Sequence, residues 1–202
     1  MAELAVVSKL EVNFDFLNAK VRAIHSTMYE GDRLDALLRC RSFSELSQAL
    51  LAGQVVLSPM ALQRRLVEQY ANDLAFLWRF LKPPADGLFL ALAMRLQLEN
   101  LKVLLRSHAA GRRAAFEDLP VISLPEPFRW PQLEAAAQMD RPQLLLAIPD
   151  AEVRLAASEA LALYTDNPIP MYLEAPLDRC YFNRLAEALG RLAAGDRRDI
   201  QP

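Results

Sequence analysis

The chain has 202 residues, 53% of them apolar and 24% charged, a balance that excludes disorder and leaves enough apolar side chains for a sizeable core in one or two small domains. A formal charge of −2 excludes a global basic field that would draw the protein to nucleic acid or anionic lipid. Leu (37) and Ala (31) fill a third of the positions while Gly supplies 6, a mix that favours helices because these side chains lose little on entering one.

From the N-terminus, Met1 to Leu10 carries Glu3 and lacks the long apolar core of a secretory signal. Phe14, Leu17, Val21, Ile24 and Met28 recur at spacings of three and four, which lines one face of a first helix. Gly31-Asp32 breaks that pattern, and Leu34, Leu37 and Leu38 mark a short second helix. Ser42-Phe-Ser-Glu45 has capping-box spacing: the Ser42 hydroxyl accepts the third amide while Glu45 reaches back, opening a helix that ends near Gly53. Ser58-Pro59 starts a long helix, with Ser at the cap and Pro in the first turn where no amide partner is lost. It runs to Leu81 and is stopped by Pro83-Pro84. Asp86 is expected to cap the next long helix, which passes Leu101, Leu104 and Leu105 and ends at Gly111. Two long helices joined by a short Pro-rich turn read as an antiparallel pair.

Pro120, Pro125, Pro127 and Pro131 make residues 112–131 an extended connector. Beyond it, short helices follow Asp140-Arg-Pro142 and Pro149-Asp150. A long one extends to about Ala194, with Pro168, Pro170 and Pro176 setting its start or kinking it. The apolar run Leu88 to Met94 is stopped by Arg95 and is far shorter than the roughly 20 residues of a membrane span. The fold expected is therefore an all-α antiparallel bundle in two related helical lobes, residues 1–111 and 132–202, joined by the connector 112–131. The kinship of the lobes rests on a faint repeat: Phe43 to Leu50 aligns with Arg141 to Ile148, and Asp73-x-x-Phe76-Leu77 with Asp178-x-x-Tyr181-Phe182.

No constellation for catalysis emerges. The chain has no phosphate loop, no strand–Gly-rich–helix unit and no H-E-x-x-H, so neither a nucleotide nor a metal is expected as a cofactor. Cys40 and Cys180 cannot make a disulfide framework, which favours a reducing compartment. Cys180, spaced helically from apolar neighbours, is expected in the core. His25 reads as solvated and His108 as complementing a helix C-terminus. Glu117-Asp118 reads as a solvated pair on the connector. The cluster Arg106, Arg112 and Arg113 either complements a helix dipole or faces an acidic protein partner.

Glu99-Asn-Leu-Lys102 stands out because polar side chains amid Leu96, Leu98, Leu101, Leu104 and Leu105 cost free energy unless hydrogen-bonded. Pairing with Arg22 or Arg95 would satisfy them, and Asp178 would cap a helix after Pro176. The candidate partner-binding or buried polar residues are thus Arg22, Glu99, Asn100, Lys102, Arg106, Asp178 and Tyr181.

Glu99-Asn-Leu-Lys-Val-Leu-Leu-Arg106-Ser-His-Ala-Ala-Gly111 resembles the N-L-K-x-x-L-R-x-K-x-x-G segment of the C (d, or AC39) subunit of V/A-type ATPases, with His108 in place of the Lys. Phe14 to Ile24 resembles that family's opening aromatic-x-x-x-x-A-x-V-R-x-L helix. Glu174-Ala-Pro-Leu-Asp178-Arg-Cys-Tyr181-Phe-Asn-Arg-Leu185 is similar to its E-x-x-L-D-x-x-Y-x-x-x-L helix, and Phe43 to Leu50 fits the short helix after its first hairpin. The segments fall in the family's order across nearly the whole chain. Members carry three pseudo-repeated lobes; this chain matches the first two and stops at Gly195-Asp-Arg-Arg-Asp-Ile200. The resemblance implies a non-catalytic, cytoplasmic part that couples the central stalk to the membrane rotor ring during proton or sodium transport. Its implied partners are stalk subunits and the ring, with no nucleic acid and no span of its own. A polar socket on stiff helices would then account for Glu99, Asn100 and Arg106. The alternative reading is a helical scaffold that binds another soluble protein through its grooves.

Overall fold

The computed structural model describes residues 14–192 apart from 52, 55, 57, 117 and 118. The readings made for Met1–Leu10, Glu117-Asp118 and Gly195–Ile200 lie outside the described residues. Among those described there are nine α-helices and no strand: α1 (Phe14–Ser26), α2 (Asp32–Leu38), α3 (Phe43–Leu50), α4 (Pro59–Trp78), α5 (Ala85–Ala109), α6 (Pro131–Ala135), α7 (Arg141–Leu146), α8 (Ala151–Asp166) and α9 (Pro170–Gly190). The protein is all-α, as the Leu- and Ala-rich composition predicts.

Local chemistry explains most boundaries. The Ser42 hydroxyl accepts from the Glu45 amide at 3.1 Å, and the Glu45 carboxylate accepts from the Arg41 amide at 2.8 Å, a capping box shifted back by one residue. Ser58 accepts from Ala61 N–H, Asp140 from Gln143 N–H, and Asp150 from both Glu152 and Val153 N–H. At the end of α5, Gly111 has φ +72°. Its N–H donates to the His108 carbonyl at 3.1 Å and the Arg112 N–H to that of Ser107 at 2.9 Å, the paired closure that needs a left-handed residue.

Two expectations are corrected. Asp86 does not cap α5: Pro84 already occupies the N-cap with near-helical dihedrals, so Asp86 lies in the first turn and accepts from Gly87 N–H. Asp178 does not cap a helix either. Pro170 starts α9 and Pro176 lies buried inside it, so the helix runs on through Asp178 to Gly190. Pro176 removes one backbone donor but presents a ring to the core.

The main core joins Leu98, Leu101, Leu104 and Leu105 of α5 to Leu144, Val153, Ala157, Leu173 and Leu177 from α7, α8 and α9. Each Leu buried there contributes on the order of 2 kcal/mol. A second cluster sets Ala71 and Ala75 of α4 against Ala93 of α5, with Leu124 and Phe128 of the connector packed over them. Small side chains let the two helices approach and leave a groove for the connector. Its path follows from its bonds: Leu119 lies by Arg64 of α4, then Ile122 by Asn100 and Phe128 by Gln97 of α5. The connector thus runs along α4 and against the direction of α5, as an antiparallel helix pair requires.

The first three helices are far more open. α2 buries no residue and α3 only Ser47. Phe16 of α1 meets Phe80, just past α4, at 5.0 Å between ring centroids, and the Tyr29 hydroxyl donates to the Ala49 carbonyl at the end of α3.

Candidate functional site

α5 carries its Leu residues on the buried face but places Gln97, Asn100, Lys102 and His108 there too. Each polar group has a specific partner, as burial demands. The Gln97 amide donates to the Phe128 carbonyl. Asn100 clamps the backbone of Ile122 from both sides, donating to its carbonyl at 2.8 Å and accepting from its N–H at 2.7 Å. The expected pairing of Glu99 and Asn100 with Arg22 or Arg95 is therefore corrected: Asn100 holds the connector, and Glu99 bonds Lys102.

Lys102 is the centre of the polar cluster. Its Nζ donates to Asp178 Oδ1 at 2.6 Å and to Glu99 Oε1 at 3.0 Å, crossing from α5 to α9. The lysine side chain is 5% exposed, whereas Glu99 and Asp178 are 44% and 47% exposed. Burial pulls the lysine pKa down, yet the hydrogen bonds and charges of Asp178 and Glu99 outweigh it and leave the group above its ordinary value. Tyr181, one turn on from Asp178, is buried in the core against the Phe182 ring. A shallow cavity of about 190 Å³ opens here, lined by Arg95, Glu99, Lys102, Asp178, Tyr181 and Phe182.

One turn along α5, Arg106 donates to Glu174 of α9 at 2.7 Å, with both side chains partly exposed. The structure thus brings Glu99, Lys102, Asp178 and Tyr181 into one cluster and sets Arg106 beside it. Asn100 faces the connector, and Arg22 stands exposed on α1.

His108 lies in the last turn of α5, where it is expected to complement the helix C-terminus, but its side chain turns inward. It is buried, and its Nε2 lies 2.8 Å from the Ala137 carbonyl, so that nitrogen carries the proton and ties α5 to the turn after α6. Cys180 is partly buried against the core, as expected, and burial pushes its thiol pKa up. Among the described residues no group of three His, Cys, Asp or Glu could hold a metal ion. No described helix is long and apolar enough to cross a membrane.

The sequence did not reveal the contacts between α8 and α9. Arg184 donates from Nη2 to both Asp150 oxygens, at 2.8 and 2.7 Å, and from Nε to Glu152 at 2.6 Å. Arg179 pairs with Glu159. Asp150 thus caps α8 and receives Arg184 at once. Pro149-Asp150 marked the start of a helix, but nothing local marks a partner 34 residues away. A cleft of about 520 Å³ runs past this cluster, floored by Met94, Phe128 and Trp130 and edged by Asp150, Arg184 and Glu187.

The charged groups here pair with one another across helix interfaces, and the neutral amides of Gln97 and Asn100 bond the backbone of residues 122 and 128. Such an arrangement fixes helices in register and leaves half-exposed charges for a partner. The sequence model of the family described as ATP synthase (C/AC39) subunit matches residues 17–201. No curated protein matches the chain.

Proposed function

The chain belongs to the ATP synthase (C/AC39) subunit family, non-catalytic structural subunits of the rotary ATPase, and from that premise we propose that it couples the central stalk to the membrane rotor ring during proton or sodium transport. The observation that carries this reading is the family match over nearly the whole chain. A coupling part must resist shear between what it holds at either end. The Lys102–Asp178, Arg106–Glu174 and Arg184–Asp150 contacts each cross a helix interface and oppose sliding. The partner surface would combine half-exposed charges at Arg95, Glu99, Arg106 and Asp178 with exposed apolar side chains such as Met171 and Phe182 of α9. Its partners are the stalk subunits and the ring, reached from the cytoplasmic side.

Affinity capture of tagged protein from detergent-solubilised membranes of its own source, read by mass spectrometry, tests this. Recovery of stalk and ring subunits supports the coupling role. Recovery of soluble proteins alone, with the ATPase present in the extract, would replace it with the scaffold reading. Charge reversal at Arg106 that leaves recovery of the ring unchanged would remove that residue from the partner surface.

A further inference from the structure

Lys102, Asp178 and Tyr181 have counterparts in the first half of the chain. Asn18-Ala-Lys20-Val21 on α1 repeats Asn100-Leu-Lys102-Val103 on α5, just as Asp73-x-x-Phe76 on α4 repeats Asp178-x-x-Tyr181 on α9. In the second set the lysine is buried between its carboxylates, and α5 lies tightly on α9.

The first set meets only in part. Lys20 Nζ lies 5.6 Å from the centroid of the Phe76 ring and 5.5 Å from that of Phe16, a cation held over aromatic faces. Asp73 stands three residues before Phe76, on the same side of α4. It is half-buried and makes no hydrogen bond or ion pair with any described residue. Burial raises its carboxyl pKa above the usual range, as expected for a carboxylate without a counter-charge.

The helix directions align the two groups. Phe16 of α1 meets Phe80, and Lys20 meets Phe76, so α1 runs opposite to α4 and the next turn along approaches the level of Asp73. A move of about one helical turn, ~5.4 Å, separates the ring site from the carboxylate. α1 has freedom for such a shift because it is exposed along most of its length, with Val21 at 45%.

We propose that Lys20, Asp73 and Phe76 form a second lysine–aspartate site, equivalent to Lys102, Asp178 and Tyr181, which closes when Lys20 Nζ passes from the rings of Phe16 and Phe76 to the Asp73 carboxylate and draws α1 onto α4. The site stands independently of the rotary-ATPase role. Closure gives the half-buried carboxylate its counter-charge and turns the half-buried side chains Leu17 and Ile24 of α1 toward α4. α1 is then a hinged arm with an open and a seated position.

Amide hydrogen exchange of the full chain, resolved by peptide, tests the site with Lys20→Met, Asp73→Asn and the double variant. Each single change is expected to raise exchange in α1 by roughly two- to fivefold, while the double variant exchanges no faster than the worse single one. Lys20→Arg, which keeps charge and reach, should leave α1 protected. Peptides of α8 and α9 report in the same spectra that the fold is intact. Additive effects, or α1 exchange unchanged in both single variants, would overturn the proposal.

Discussion

Replacing Asp178 with Asn keeps an acceptor near Lys102 but removes the charge that offsets burial of the ammonium. A fully buried pair broken from one side costs about 3–5 kcal/mol, and an exposed pair about 0–1 kcal/mol. Here the cation is 5% exposed, the carboxylates are 47% and 44% exposed, and Glu99 remains as a second acceptor at 3.0 Å. The loss should therefore fall between the limits, at about 1.5 kcal/mol. With an unfolding entropy of roughly 2.1 cal/mol/K per residue, a chain of this length loses about 3–4 °C in Tm. Lys102→Met leaves two carboxylates that water can reach and should cost about 1 kcal/mol, with a coupling of about 1 kcal/mol in the double variant. Urea unfolding followed by circular dichroism supplies the four corners of the cycle. The pH dependence has a definite sign. The folded-state pKa of Lys102 is raised, so its stabilisation is fully present below the ordinary lysine value of 10.5 and is lost as pH climbs through the folded value. The gap between wild type and Lys102→Met should hold from neutral pH to about pH 9 and narrow only in stronger alkali. A coupling below about 0.3 kcal/mol, or a gap that closes before pH 9, would refute the reasoning.

Asn100→Ala strips both partners from the Ile122 backbone and should cost about 2 kcal/mol in urea unfolding, with faster amide exchange at residues 119–124 before any change in α8. Asp150→Ala removes the α8 cap and the bidentate acceptor of Arg184 together. A loss of about 2 kcal/mol is expected, and Arg184→Ala added to it should cost little more. Gly111→Ala places a Cβ on a residue at φ +72° where space is open, so only backbone strain is felt, about 1 kcal/mol in thermal unfolding.

How much of this was visible in the sequence depends on distance along the chain. Ser42 and Ser58 were legible as caps because donor and acceptor lie within three residues, and the helix starts after Asp140 and Asp150 were legible although their capping was not read. Gly111 was legible for the same reason. Asp86 misled because Pro84 had already turned the backbone into the helix. Asp178 misled because a proline normally ends a helix, whereas Pro176 is buried where its ring packs and α9 continues. Glu99, Asn100, Lys102 and Asp178 each stood out as polar residues amid leucine. Their pairing did not, since Lys102 and Asp178 are 76 residues apart and Asn100 bonds a backbone amide 22 residues on. Backbone groups carry no sequence signature, so a side chain that ends on one cannot be matched by composition. Arg184 and Arg179 stayed hidden for a further reason: at a helix surface an arginine bound to another helix reads like one that faces water.

The hold that α4 and α5 keep on the connector also decides where the chain can be cut. Pro-rich, non-helical chain such as residues 119–130 would normally be the first place a protease enters. Between Leu119 and Phe128, however, the backbone is fastened by Arg64, Glu68, Gln97 and Asn100, and a protease cleft accepts only a strand that has come free. Trypsin should therefore nick at Arg112 or Arg113, which are exposed just before the fastened stretch, well ahead of Arg129 just beyond it. Cleavage at Arg129 becomes a clock for how often the connector lifts out of its groove.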